Sequence, residues 1–352
     1  MGASRSHEEI ITLFGKQIFK FLIAKRAIKN FAFQASEITK ADKILFAVFS
    51  RYGDGIISFR IISEFLVANP DKKYMLLTTS QLVPYAKKLI KSQNIEILSV
   101  NKRNPFSLIP TVLKLKRFDA DIGLNPWSHG DDAEFFISFA KRFYSYKKFS
   151  KHPKEYNVYD RVREYFGLEV EIDKTVNADF EWQSAKNIVI APISTDPKKN
   201  LNADEINKII SKLSANNRKI TVAVPKGAMN ISGVNMFYFA KSGSKSNEFI
   251  GLLENADLFI GVDSGPMHLA LCMGKECLGF FGSNAPETIL DSGFSLISFR
   301  HPSLEGIFCF VAECKNPECI HGIFEGEFEG YICGKYSKNM RLETNKCPLE
   351  TK

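Results

Sequence analysis

Asp263-Ser264-Gly265-Pro266-Met267-His268 places a carboxylate, a hydroxyl, a glycine and an imidazole in one short turn. Leu258–Val262 before it is an apolar run of buried-strand type, and Met267–Met273 after it is apolar enough for a buried helix. Pro266 suits the first turn of that helix, whose early N–H groups have no intrahelical partner, and Gly274 can end it. Cys277–Phe281 then reads as the next strand. A helix N-terminus at a strand end offers free amides and a positive dipole end, which suits a phosphate or diphosphate. Asp263 adds an acceptor for sugar or ribose hydroxyls. Read blandly, the same stretch is an ordinary βαβ turn with a capping aspartate. A second turn, Ser50-Arg51-Tyr52-Gly53-Asp54-Gly55, follows the strand-like run Lys43–Phe49, and a helix is expected over Ile56–Val67. Asp54 there could cap that helix, worth about 1 kcal/mol.

The elements that must hold these turns alternate. Strand-like runs recur at 73–79, 95–100, 120–124, 187–191, 220–224 and 234–239, with helical patterns between them. Such βα repetition predicts parallel sheets with helices on both faces. Asn202 is placed to cap a helix running to about Leu213. Asn125-Pro126-Trp127-Ser128-His129-Gly130 follows a strand end and should face the ligand side of the first sheet. The organisation expected is an N-terminal amphipathic helix over 1–42, α/β domains over 43–175 and 176–308, and a cysteine-rich tail over 309–352. In the first of these, Ile10, Leu13, Phe14, Ile18, Phe21 and Leu22 recur at helical spacing beside Lys16, Lys20, Lys25, Arg26 and Lys29. That pattern fits a helix on an anionic bilayer and equally one packed on the first domain.

A chain of 352 residues, 45% hydrophobic and 24% charged, has the size and composition of two soluble globular domains. Its net charge of +8 fits an anionic partner. No aromatic–basic motif points to nucleic acid. No apolar run reaches the roughly 18 residues of a membrane span, and no signal-peptide pattern opens the chain. The location expected is therefore the cytoplasm, either free or peripheral on the inner face of the inner membrane. Cys309, Cys314, Cys319, Cys333 and Cys347 are separated by four, four, thirteen and thirteen residues. The first two gaps fit zinc-type pairs loosely. Four of these cysteines binding a structural zinc or iron, and a set of reduced thiols, are the two readings.

Asp263, Ser264, Gly265, His268, Leu269 and Ala270, followed by Gly274, Phe281, Gly282 and Pro286, resemble the D-[ST]-G-x-x-H-L-A turn and following glycine-rich strand of the heptosyltransferase family (glycosyltransferase family nine). Ser50, Gly53 and Asp54 resemble its S-x-x-G-D turn, with Gly55 where relatives carry an apolar residue. Ser194, Thr195 and Lys199 match its small-hydroxyl pair and lysine, with Lys198 as the fallback and Leu201 near the place of a missing aromatic. The resemblance covers about 43–320 and implies two facing Rossmann-like doubly wound domains, the GT-B arrangement. It further implies inverting transfer of a sugar, heptose from ADP-heptose first among candidates, to a lipopolysaccharide-type, lipid-linked acceptor, with no cofactor required for the chemistry. Asp54 would be the general base. Ser194, Thr195, Lys199, Asp263, Ser264, Gly265 and His268 would bind the donor. Trp127 and His129 would meet the acceptor. Two rivals are a protein O-heptosyltransferase with a metal-binding cysteine tail, as some relatives are, and a non-catalytic nucleotide-sugar-binding protein.

Overall fold

The computed structural model of the protein describes residues 37–38, 40–101, 108–126, 131–145, 157–170, 180–213, 217–240, 244–301, 307–309, 318–324 and 342–344. The amphipathic helix expected near the N-terminus lies outside the described residues. The chain forms two compact units, Met1–Lys154 with Arg161–Val170, and Glu155–Asp160 with Glu171–Lys352.

The first unit is built on five parallel strands, β1 (Lys43–Val48), β2 (Lys73–Thr78), β3 (Ile95–Ser99), β4 (Ile122–Asn125) and β5 (Arg142–Ser145), in the order β3-β2-β1-β4-β5. Central β1 is buried from Ile44 to Val48, as a strand covered on both faces must be. Its helices are α1 (Tyr52–Ala68), α2 (Val83–Leu89), α3 (Leu108–Phe118) and α4 (Asp131–Ile137). Helix α1 begins four residues before the sequence reading placed it. The glycines of the turn do not prevent this: Gly55 N–H already makes a helical bond to Arg51 O at 2.9 Å. Gly55 is buried under Leu82, whose methyls lie 3.2 Å from where a Cβ on Gly55 would stand. Leu82 thus fills the place of an apolar side chain at that position. Strand β5 falls in a stretch too basic and short to read as one.

A further helix, α5 (Val158–Tyr165), contains the boundary between the units. On the first unit, Arg163 grips Glu64 of α1 through Nε at 2.9 Å and Nη2 at 3.1 Å.

The second unit has six parallel strands, β6 (Asn187–Ala191), β7 (Lys219–Pro225), β8 (Asn235–Phe239), β9 (Leu258–Val262), β10 (Glu276–Phe281) and β11 (Leu296–Arg300), in the order β11-β10-β9-β6-β7-β8. This is the doubly wound order, with one reversal between β6 and β9, and ligands bind at the carboxyl ends of strands at such a point. Its helices include α6 (Ala203–Leu213), α7 (Ser246–Glu254), α8 (Gly265–Cys272) and the short α9 (Pro286–Ile289). Asn202 caps α6 as expected: its Oδ1 accepts from Glu205 N–H at 3.0 Å and Glu205 Oε2 accepts from Asn202 N–H at 2.7 Å, a reciprocal capping box. The core gathers Ile190, Val222, Leu258, Ile260, Leu278, Phe280 and Phe299. Ile320, Ile323 and Phe324 join it from the cysteine-rich region.

The two units share one device. Asp121, just before β4, accepts from the amides of Asp42 and Lys43 at 3.0 Å each. Asp257, just before β9, accepts from those of Lys186 and Asn187 at 3.0 and 2.8 Å. Each carboxylate ties the start of the first strand of its unit to the start of the fourth, at the amino ends of the two strands that flank the switch point, opposite the ends from which the site loops spring. These amide hydrogen bonds hold the Asp257 carboxyl below its ordinary value.

Candidate functional site

In the second unit, Asp263 and Ser264 sit where β9 ends. Ser264 is the N-cap of α8 in extended conformation, φ −158° and ψ 164°. Pro266 stands in the first turn, and Gly274 ends the helix at φ +75°. Gly274 N–H donates to Leu271 O at 2.9 Å and Lys275 N–H to Ala270 O at 3.0 Å, the paired closure of a helix with glycine at its C-terminus. Gly261 in β9 has a steric reason: a Cβ there would come within 2.8 Å of Ala191 O. Unusually for a serine at this position, Ser264 makes no side-chain cap. Its hydroxyl is buried without a hydrogen-bond partner. Such an orphan is costly unless something meets it.

The loop after β6 carries the other half of the site. Ser194 N–H donates to Asn200 Oδ1 at 2.6 Å, and Ser194 Oγ accepts from Asp196 N–H at 3.3 Å. Asp196 then caps a short 3-10 turn over Pro197–Lys199. Leu201, at the place of the absent aromatic, is buried in the core. The turn directs its two lysines differently. Lys198 Nζ pairs with Asp196 at 3.7 Å. Lys199 Nζ donates to Asp263 Oδ2 at 2.5 Å. The geometry therefore selects Lys199 over Lys198 as the partner of the β9 turn. Thr195 is exposed.

Asp263 is the meeting point. Its Oδ2 also accepts from Asn284 Nδ2 at 2.8 Å, from the loop after β10. Its Oδ1 stands 3.8 Å from His268 Nε2. Burial opposes ionisation of Asp263, but His268 and Lys199 outweigh it and hold the carboxyl well below the usual carboxylate range. One oxygen of the carboxylate expected to take donor hydroxyls is thus engaged by Lys199 and Asn284. What the arrangement brings together at the start of α8 is a held ammonium, a buried and unsatisfied hydroxyl and the helix amides, a set suited to a diphosphate. Sequence reasoning missed Asn284, which carries no signal beyond its place before Pro286. It also missed Tyr159, whose Oη lies 2.9 Å from His268 Nδ1.

In the first unit, the switch point lies between β1 and β4, and Asp54 follows β1. The N-cap of α1 is Arg51, with no side-chain cap, and Asp54 is an acid of the first turn. It is therefore not the capping residue of the bland reading. It is partly buried, and its carbonyl accepts from Ser58 Oγ at 2.8 Å. Ser50 Oγ is buried without a hydrogen-bond partner. At the end of β4, Asn125 is fully buried, its N–H donating to Tyr165 Oη at 3.2 Å. Trp127 and His129 lie outside the described residues.

Of the five tail cysteines, only Cys319 has a described side chain. It is 7% exposed and packs on Gly282, its Sγ 3.0 Å from where a Cβ there would stand. The side chains of Cys309, Cys314, Cys333 and Cys347 lie outside the described residues. Among the described residues no cluster of three or more potential ligands could hold a metal ion, and no helix is long and apolar enough to cross a membrane.

Residues 152–319 match the family model for glycosyltransferase family 9 (heptosyltransferase). No curated protein matches the chain. Among solved structures it is similar to the glycosyl transferase family 9 protein of Veillonella parvula, at 14% identity and TM-score 0.54, over 73% of this chain and 85% of that one. It is similar also to the E. coli ADP-heptose lps heptosyltransferase II, at 13% identity and TM-score 0.54, over 74% of this chain and 90% of that one. At these identities the likeness is one of fold. It bears out two α/β units with Rossmann-like parallel sheets, as in GT-B proteins.

Proposed function

We propose that the protein, whose residues 152–319 match the family model for glycosyltransferase family 9 (heptosyltransferase), is an inverting glycosyltransferase moving heptose from ADP-heptose to a lipopolysaccharide-type glycolipid. The observation that carries this reading is the Lys199–Asp263 pair beside the N-terminus of α8, with the Ser264 hydroxyl buried and unsatisfied. The donor's diphosphate would accept hydrogen bonds from the Ser264 hydroxyl and the α8 amides and pair with the Lys199 ammonium. The acceptor hydroxyl attacks the anomeric carbon and its C–O bond forms as the bond to the diphosphate oxygen breaks. Asp54 takes the proton that the hydroxyl gives up. The leaving diphosphate keeps the bonding pair, and Lys199 and the amides stabilise that charge. This residue set supplies the positive charge from the protein itself. The net charge of +8 favours an anionic glycolipid at the cytoplasmic face of a membrane.

A panel of nucleotide sugars in a thermal-shift assay tests the donor. A ligand at a hundred times its dissociation constant adds about 2.7 kcal/mol of stability. ADP-heptose should stabilise most, and ADP release should depend on added glycolipid. Stabilisation by no nucleotide sugar would sink the reading.

A further inference from the structure

Tyr159 is fully buried at the start of α5, and its hydroxyl stands 2.9 Å from His268 Nδ1. On the opposite side of the imidazole, Nε2 faces Asp263 Oδ1 at 3.8 Å, and the His268 and Asp263 side chains are 8% and 11% exposed. The ring is thus held between a phenol and a carboxylate. Phe294 closes the back of Tyr159 with an edge-on contact, ring centroids 5.4 Å apart.

We propose that Tyr159 is a positioning residue that fixes His268 in one tautomer, with the proton on Nε2 directed at Asp263. The electrostatics are one-sided. A lone pair on Nε2 would face an ionised carboxylate, whereas an N–H there presents its positive end. With the proton on Nε2, Nδ1 is an acceptor, and Tyr159 supplies the donor at 2.9 Å, its oxygen remaining able to accept from the Cys272 thiol at 3.7 Å. Oδ2 of Asp263 already accepts from Lys199 and Asn284. Oδ1 is the oxygen His268 addresses. Tyr159 therefore acts through His268 on the carboxylate that holds Lys199. This rests on the donor-site reading above, and adds to it a residue from a helix that no site motif contains.

Three measurements test it. In the full chain labelled with 15N-histidine at pH 8, His268 should show the pattern of a single Nε2–H tautomer. A single Nδ1–H tautomer overturns the proposal at once. In Tyr159→Phe, the two nitrogen shifts should move toward an averaged pattern. ADP affinity should fall by about two- to tenfold, the range for one lost hydrogen bond. Phe294→Leu disturbs the packing of Tyr159 but not its hydroxyl, and should keep both the tautomer and ADP affinity near wild type. A Tyr159→Phe protein with the wild-type nitrogen pattern or ADP affinity overturns the proposal. So does equal loss in Phe294→Leu, since packing alone would then account for it. If wild type does not bind ADP, the donor reading fails, and the nitrogen pattern still decides whether Tyr159 sets the tautomer.

Discussion

Lys199 Nζ lies 2.5 Å from Asp263 Oδ2, although 64 residues separate them. The two come from the loops after β6 and β9, the neighbouring strands between which the sheet order reverses. Their side chains are 18% and 11% exposed, so the pair is shielded from water more than a surface ion pair.

Lys199→Ala should weaken nucleoside diphosphate binding by roughly ten- to a hundredfold, the range for a hydrogen bond to a charged group. Asp263→Ala should cost less affinity but more stability, since it leaves the half-buried Lys199 ammonium without its partner. Calorimetric titration with ADP, beside thermal melts, separates the two. Equal effects of both variants on affinity would mean that Lys199 does not reach the ligand.

Asp54→Asn should leave donor binding intact and lower transfer by roughly a hundredfold or more, the usual loss with a general base. Because Arg51 is the N-cap, the variant keeps the helix start and loses the favourable placing of a negative charge near a helix N-terminus, about 0.3–1 kcal/mol. A single-turnover assay of sugar transfer checks this. Near-normal transfer would assign the base elsewhere.

Glu287, in α9 beside Asn284, has a buried Oε2 without a hydrogen-bond partner, and burial pushes its carboxyl up to about 7. In the unfolded chain the group ionises near its ordinary value of 4.5. Between these values folding must keep a proton that the unfolded chain releases, so stability falls as pH rises from about 4.5 to 7. Glu287→Gln removes that cost. Its melting temperature should exceed wild type by an amount that grows over this window, corresponding to at most about 3 kcal/mol. A difference independent of pH would show that Glu287 ionises as freely in the folded protein.

His321 Nδ1 meets Glu205 Oε1 at 2.6 Å and so joins the segment 318–324 to α6. That hydrogen bond raises the imidazole above its ordinary 6.5. The pair's contribution is therefore complete below 6.5 and is lost as pH rises through the higher folded value. Partial exposure keeps it within about 1 kcal/mol. His321→Gln should lie below wild type in melting temperature at pH 6 and approach it by pH 8. Parallel curves for the two proteins would contradict the pairing.

The sequence by itself determined what local pattern can carry. Apolar runs located the central strands, and βα alternation declared parallel sheets. Gly274 and Asn202 marked helix ends through chemistry confined to a single turn. The Asp263 turn could be read because a strand, a turn and a helix N-terminus are adjacent in the chain. Elements set by the sheet rather than by their own residues were not legible: β5 is short, basic and at a sheet edge, and α1 absorbed its glycine turn because Leu82 packs there. Tertiary structure alone decided which side chains meet. Lys198 and Lys199 are chemically identical neighbours, and only the 3-10 turn over Pro197–Lys199 directs the second at Asp263. Tyr159 and His268 lie 109 residues apart. A pattern in the chain reports each residue's own backbone, whereas the direction in which a side chain points across a switch point depends on strands that pair from distant parts of the sequence.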